Sequence, residues 1–560
     1  MRERMVVKTL LGVALLLAQQ AMAQTAYINA KIHTVDDARP RAEAIAVADG
    51  RILAVGTADE AREAAGAGAE IIDVGGATII PGLIDAHGHI AGLGALFLGV
   101  IDLSGTTSYD QVIELVEQRA AEAQPGQWIL GRGWDHESWP DKQMPTHEAL
   151  SEATPDNPVW LSRVDGHAGL ANARAMEAAD VTGSTPSPRG GEILRDAAGQ
   201  PTGVFVDNAE SLIERAVPAS ARSSAEDLIL AAQEACLAAG LTGVHDMGVS
   251  PSMADLYKRM EADGRLKLRV YGLISGPYAV RYFEEREPYI GGRVTIRSCK
   301  LYMDGAMGSR GAWLLAPYAD RPIGPGGAPY VGLAVSEPEL IEQVARHALA
   351  KGYQVCTHAI GDRGNREVLD AYERALRDAS EAQRADHRFR IEHAQLLAPE
   401  DIGRFAELGV IPSMQQTHCT SDMRWVDARV GPERAKGAYA WRSLIDAGSI
   451  IAGGSDFPVE SHNPFLGLYA AVTRQNAAGE PAGGWQPEQL MSREEALKSM
   501  TIWAAYAAFE EADKGTLTPG KLADFIVIDR DIMTCAPPEI LETRVLRTVI
   551  GGETVYEAAR

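Results

Sequence analysis

From about residue 80 to residue 460, short apolar runs alternate with stretches whose apolar positions recur every three or four residues. The runs "ATIIPGLIDAHGHI", "LTGVHDMG", "LKLRVYGLI", "VTIRSCKLYMDG", "YQVCTHAIG", "FRIEHAQ", "GVIPSMQQ" and "SIIAGGSDFP" each fit one buried strand closed by a turn. Between several of them lie amphipathic segments such as "PELIEQVARHALAKG" and "NREVLDAYERALRDA". Eight strand–helix units predict an α/β fold, a TIM-type (β/α)8 barrel, with chemistry at the C-terminal ends of its strands.

The chain ends read differently. "AYINAKIHTV", "AEAIAVADGRILAVG" and "AEIIDVGG" near the start, with "KLADFIVIDRD" and "VLRTVIGGETVYE" near the end, are short strands cut by Gly and Asp turns. They predict a small β-sandwich domain built from residues 24–80 and 507–560, flanking a barrel over 81–506. The first and second barrel strands are separated by more chain than one helix needs. That excess, about residues 100–235, carries its own turns and aromatics and is expected to fold over the barrel mouth.

Candidate chemistry falls on the strand ends. His87 and His89 form His-x-His, and period-two alternation puts both imidazoles on one side of the strand. Alone the pair is a weak metal signal. Lys300, His358, His393 and Asp456 each follow an apolar strand and precede a turn, which brings six polar groups to one barrel face. Lys300 in "SCKLYMDGAMGSRG" is the odd member, because a lone ammonium is costly to withdraw from water. Further substrate contacts are expected from Asp165 and His167 in "RVDGHAG", His245 in "TGVHDMG", and Arg310 after the glycines of the Lys300 segment. Trp134, Trp139 and Trp313 are candidates for an aromatic wall, and Cys356 is expected to pack.

"PGLIDAHGHI", "KLYMDGAMGSRGAWLLAPY", "THAIGDRGN", "RIEHAQ", "GGSDFPVE" and "GTLTPGKLADFIVID" together resemble the amidohydrolase superfamily. More narrowly they resemble its YtcJ-like branch, which includes N-substituted formamide deformylases. The resemblance implies two divalent metal ions, Zn²⁺ in the first instance, with Mn²⁺, Co²⁺ or Fe²⁺ compatible. It places His87, His89 and Asp456 on the first metal, His358 and His393 on the second, and Lys300, N-carboxylated by CO₂, between them. Removal from water favours the neutral, nucleophilic amine, and two cations stabilise the anionic carbamate. The implied reaction is hydrolysis of an amide-type, non-peptide C–N bond, with Asp456 as general base and then acid.

Within the superfamily, a mononuclear deaminase is the main alternative. Its proton-shuttling Glu would stand at Gly361, which counts against it. Lactone, carbamate or dipeptide hydrolysis is open to the same centre. No G-x-S-x-G elbow is present for a serine hydrolase. A non-catalytic exported binding protein would be expected to lack at least one of the six groups.

The remaining properties set the context. Residues 1–23 combine basic Arg2, Arg4 and Lys8, a short apolar run and Ala21-Met22-Ala23, the pattern of a cleaved signal peptide. An exported protein, periplasmic or secreted, is therefore expected, with no membrane span left after cleavage. The net charge of −23 becomes about −25 without the leader's +2, which argues against nucleic acid as partner. A small-molecule substrate is expected, and a homodimer is the default assembly. Five scattered cysteines form no disulfide framework.

Overall fold

The computed structural model describes residues 24–559, so the expected signal peptide lies outside the described residues. Eight parallel strands line up in one sheet: β1 (Leu83–Gly88), β2 (Leu241–Val249), β3 (Arg269–Ser275), β4 (Val294–Tyr302), β5 (Gln354–Ala359), β6 (Arg390–His393), β7 (Ile411–Gln415) and β8 (Ala452–Gly454). Each is hydrogen-bonded to the next in chain order. The sheet curls until β8 meets β1: Asp456 N–H donates to the His87 carbonyl at 2.6 Å and His89 N–H to that of Phe457 at 2.8 Å. Gly454 permits this closure, since a Cβ there would lie 2.5 Å from His87 N and 2.6 Å from Asp85 Oδ1. The result is a nearly closed TIM-type barrel.

The strands are buried on both faces, as a parallel sheet covered by helices requires. The helix Pro338–Lys351 presents Ile341, Val344, Ala345 and Ala348 inward and ends on Gly352 in the left-handed region. The next, Asp362–Arg377, buries Val368, Leu369, Tyr372 and Ala375. It starts three residues before the apolar pattern does, because Gly361 sits extended as its cap.

Strands from both chain ends pair with each other. Thr78–Pro81 runs antiparallel to Phe525–Ile528 in a six-stranded sheet. That sheet faces a four-stranded one, Thr25–Ile28 among its members, through Tyr27, Ile32, Ile45, Val47, Ile79, Phe525 and Val549. A buried ion pair, Arg269 Nη2 to Asp524 Oδ1 at 2.8 Å, fastens this unit to β3 of the barrel.

Between β1 and β2 the chain builds a further six-stranded sheet that includes Ile129–Trp134, Val159–Arg163, Ala168–Ala171 and Pro201–Asp207. One face packs Leu103, Val116, Trp134, Trp139 and Leu161; the other packs Trp160, Met176, Ile193 and Phe205. Arg429 clasps this inserted unit from the barrel side, pairing with both Glu137 and Asp320. Arg424 Nη1 adds a hydrogen bond to Ser138 Oγ at 2.8 Å. Among the described residues no helix is long and apolar enough to cross a membrane.

Candidate metal centre

A cavity of about 580 Å³ opens where the strands end. His87, His89, Lys300, His358, His393 and Asp456 all line it, and Asp165 and His167 reach it from the insertion. Donor atoms of His87, His393 and Asp456 lie within 4.8 Å of one another. His89 Nε2 stands 3.1 Å from Asp456 Oδ1. The His358 and His393 rings are 4.5 Å apart.

Backbone conformation explains part of this convergence. His393 and Asp456 hold φ of 74° and 61°, in the left-handed region that non-glycine residues avoid. Each such residue costs of order 1–3 kcal/mol and persists only where its surroundings impose it. On β6, alternation puts Arg390 and Glu392 on one face and His393 on the other. The left-handed turn at His393 breaks the alternation, so Glu392 and His393 both face the centre. Glu392 Oε2 accepts from His87 Nδ1 at 2.6 Å, and Arg390 holds Glu392 in turn. That bond fixes the His87 tautomer and aims its Nε2 at the cavity.

The electrostatics suit metal ligation. Burial, and then the neighbouring Lys300, pulls the His87 imidazole down to about 4. Burial also takes His358 and His393 well below the ordinary imidazole range, leaving neutral rings. Burial alone would raise the Asp456 carboxyl, but His87, His89 and His393 outweigh it and hold it well below the usual range. Asp85 and Asp304 behave in the opposite way, pushed by burial up to about 7. Their oxygens serve the scaffold: Asp85 accepts from His87 N–H and Ser455, Asp304 from the N–H groups of Trp313, Ile360 and Gly361.

The donor set fits a divalent metal. His393 Nδ1 is buried without a hydrogen bond, which is unusual for a polar atom unless a ligand takes it up, and Asp456 Oδ1 meets only the imidazoles of His87 and His89. Lys300 is 1% exposed, its Nζ lies 3.2 Å from His87 Nε2 and 4.8 Å from the centre of the Tyr302 ring, and no carboxylate among the described residues pairs with it. Asp304, the nearest candidate in sequence, is saturated by backbone N–H groups.

The other candidates lie off the cavity. Trp134 is in the core of the insertion, 6.2 Å from Trp139, with its indole N–H on the Leu161 carbonyl at 2.8 Å. His245 is buried in mid-strand, because β2 runs four residues beyond it; Arg390 Nη1 lies 2.9 Å from its Nδ1. Arg310 turns outward to Asp320 at 2.9 Å. Trp313 lies beneath the Arg363 guanidinium, and Cys356 packs against Ser298 and Gln354.

Sequence reasoning missed several neighbours of the centre. His418, in "QQTHCT" after β7, lies near parallel to His393 at 5.9 Å and 3.8 Å from Asp456 Oδ2. Its place at a strand end was the available signal. Asp207 accepts from His167 Nδ1 at 2.7 Å, a contact between residues 40 apart with no local signature.

Comparison with known proteins agrees with this geometry. The Amidohydrolase family profile matches residues 70–556. The chain is 33% identical over 534 residues to the putative amidohydrolase YtcJ of Bacillus subtilis, covering 94% of this chain and 98% of that protein. It is 32% identical over 554 residues to the N-substituted formamide deformylase of Arthrobacter pascens, covering 95% and 98%. An uncharacterized metal-dependent hydrolase from Pyrococcus horikoshii superposes with a TM-score of 0.74 at 28% identity, over 92% of this chain and 99% of that one. With its nearly closed barrel and metal-competent strand ends, the chain belongs to the amidohydrolase family and is a metal-dependent hydrolase of that superfamily.

Proposed function

We propose that the protein hydrolyses an amide-type, non-peptide C–N bond of a small molecule at a two-metal centre. His87, His89 and Asp456 would hold one ion, His358 and His393 the other, and Lys300 carboxylated by CO₂ would serve both. Carboxylation joins Nζ to the carbon of CO₂ and releases one N–H proton. The observation that carries the two-metal reading is Lys300 itself: buried, beside neutral imidazoles, with no carboxylate partner among the described residues. A free ammonium there is poorly solvated, whereas a carbamate would give divalent cations an anionic ligand. Zn²⁺ suits this His and carboxylate set, as do Mn²⁺, Co²⁺ and Fe²⁺.

Bound divalent ions supply an acidified water and a polarised carbonyl. The chain's residues do the rest. Asp456, ionised and within reach of the imidazoles that orient it, takes the proton of the attacking water at its carboxylate and returns it to the departing amine. Glu392 keeps His87 in one tautomer throughout. Asp165 and His167 close the mouth from the insertion and contact the substrate. The resemblance to an N-substituted formamide deformylase makes N-substituted formamides the first substrates to try. The leader-like residues 1–23 carry an accompanying proposal of export to the periplasm or beyond.

The test is a panel of N-substituted formamides, other carboxamides, lactones, dipeptides and aminopyrimidines offered to protein loaded with Zn²⁺, Mn²⁺ or Co²⁺. Chelator-sensitive release of amine from amides is expected. Preferential ammonia release from aminopyrimidines, or turnover that survives complete metal removal, would overturn the reading.

A further inference from the structure

We propose that Arg132, on the inserted strand Ile129–Trp134, binds a carboxylate carried by the substrate, so that the enzyme selects anionic amides. The inference rests on the amide-hydrolase reading above.

Arg132 lines the same cavity as the six candidate ligands. Its hydrogen bond, Nη2 to the Val164 carbonyl at 3.2 Å, uses one of its five N–H groups. Its Nε is buried with no partner, and no carboxylate among the described residues forms an ion pair with it. Four other buried arginines have carboxylate partners. Arg163 pairs with Asp135 and Asp165, Arg269 with Asp524, Arg390 with Glu392, and Arg429 with Glu137 and Asp320. Arg474 has no carboxylate and a partnerless Nη2, but its Nε and Nη1 donate to the carbonyls of Trp485 and Tyr439 and it lies over two indole rings.

Of the acids near Arg132, Asp456 lies against the His87 and His89 imidazoles. Asp165 accepts from Arg163 and from His167 N–H, and Asp207 from His167. Glu210 shares the cavity wall, but no hydrogen bond or ion pair joins it to Arg132. Burial correspondingly lowers Arg132, whereas Arg163 and Arg390, buried beside carboxylates, are raised.

Space is reserved as well. Gly166 stands against the guanidinium at φ 69°, and a Cβ there would lie 3.3 Å from Nη2 and 3.5 Å from Nη1. A planar fork with unused N–H groups on a cavity wall matches a carboxylate in two-point contact. Gly92 and Arg132 also line a second cavity of about 580 Å³ bounded by Trp128 and Trp160, so a longer substituent has room beyond the guanidinium.

The experiment pairs N-formyl ω-amino acids of increasing chain length with N-formyl alkylamines of the same length, on the metal-loaded full chain. At one length the wild type is expected to prefer the carboxylate member by about ten-fold or more in kcat/KM, carried by KM. In Arg132→Met the ratio between the two members falls to about one, and Arg132→Lys restores part of it. A wild type that prefers the neutral member at every length, or an Arg132→Met protein with an unchanged ratio, overturns the proposal. If Arg132→Met does not fold, the wild-type length series decides alone. Calorimetric binding of the same N-formyl ω-amino acids separates the two readings. If nothing is hydrolysed but the carboxylate member still binds about ten-fold more tightly than its neutral pair, only the amide-hydrolase reading fails; equal binding refutes the role of Arg132.

Discussion

The two walls of the cavity are built on opposite principles. On the barrel wall the groups behind the candidate ligands are held in place: Glu392 by Arg390, His87 by Glu392, and Asp85 and Asp304 by backbone N–H groups. On the insertion wall the support is uneven, with His167 fixed by Asp207 but Arg132 left without a counter-ion among the described residues. Such supports position ligand atoms to within small tolerances, as a metal centre demands. A wall with unused hydrogen-bonding capacity is suited to whatever enters the cavity. The comparison assigns reaction chemistry to the strand ends and substrate choice to the insertion.

Substitutions can break that division. Asp456→Asn should lower kcat by roughly 10²–10⁴-fold with the melting temperature little changed, as stopped assays and calorimetry would record. An effect within a few-fold would remove Asp456 from the proton path. Trp134→Ala should act on the other wall, costing about 3–5 kcal/mol of stability as a core truncation while metal content per folded chain stays level. Loss of metal in that variant would mean that the insertion helps to build the centre. Glu392→Gln is expected to weaken metal binding or activity by about 10–100-fold, seen by titration with a competing chelator.

The pH dependence sharpens the same point. The His87 imidazole is pulled down to about 4, so protons compete for it only well below the ordinary imidazole range. Metal content should therefore hold at about pH 5.5, where an exposed histidine would already be mostly protonated. Release of metal near the ordinary imidazole value would contradict the buried, neutral environment. The smallest effect is expected from Arg310→Ala, about 0.2–1 kcal/mol for a partly exposed pair, with kinetics unaltered.

The barrel wall was largely legible in the sequence and the insertion wall was not, for a physical reason. Strand alternation and turn residues are local signals, and they place His87, His89, Lys300, His358, His393 and Asp456 at strand ends without knowledge of contacts. The eight strands read from apolar runs are the eight of the barrel. His245 shows where the local signal fails: four more strand residues, Asp246 to Val249, follow a histidine that looked terminal. Trp134 and Arg132 show the deeper failure. Alternation puts these two residues of one strand on the same face, yet the indole turns into the insertion core while the guanidinium lines the cavity. A register irregularity in the pairing with Val159–Arg163, between Arg132 and Trp134, accompanies the divergence, and Gly133, at φ 111° between them, is its mark in the sequence.

The central claim is a two-metal centre with a carboxylated Lys300, and diffraction from crystals of the metal-loaded protein, collected on both sides of the metal absorption edge, tests it most directly. The account predicts two anomalous peaks at the barrel mouth and density for a carboxylate on Lys300 Nζ. A single peak beside an unmodified lysine would contradict it.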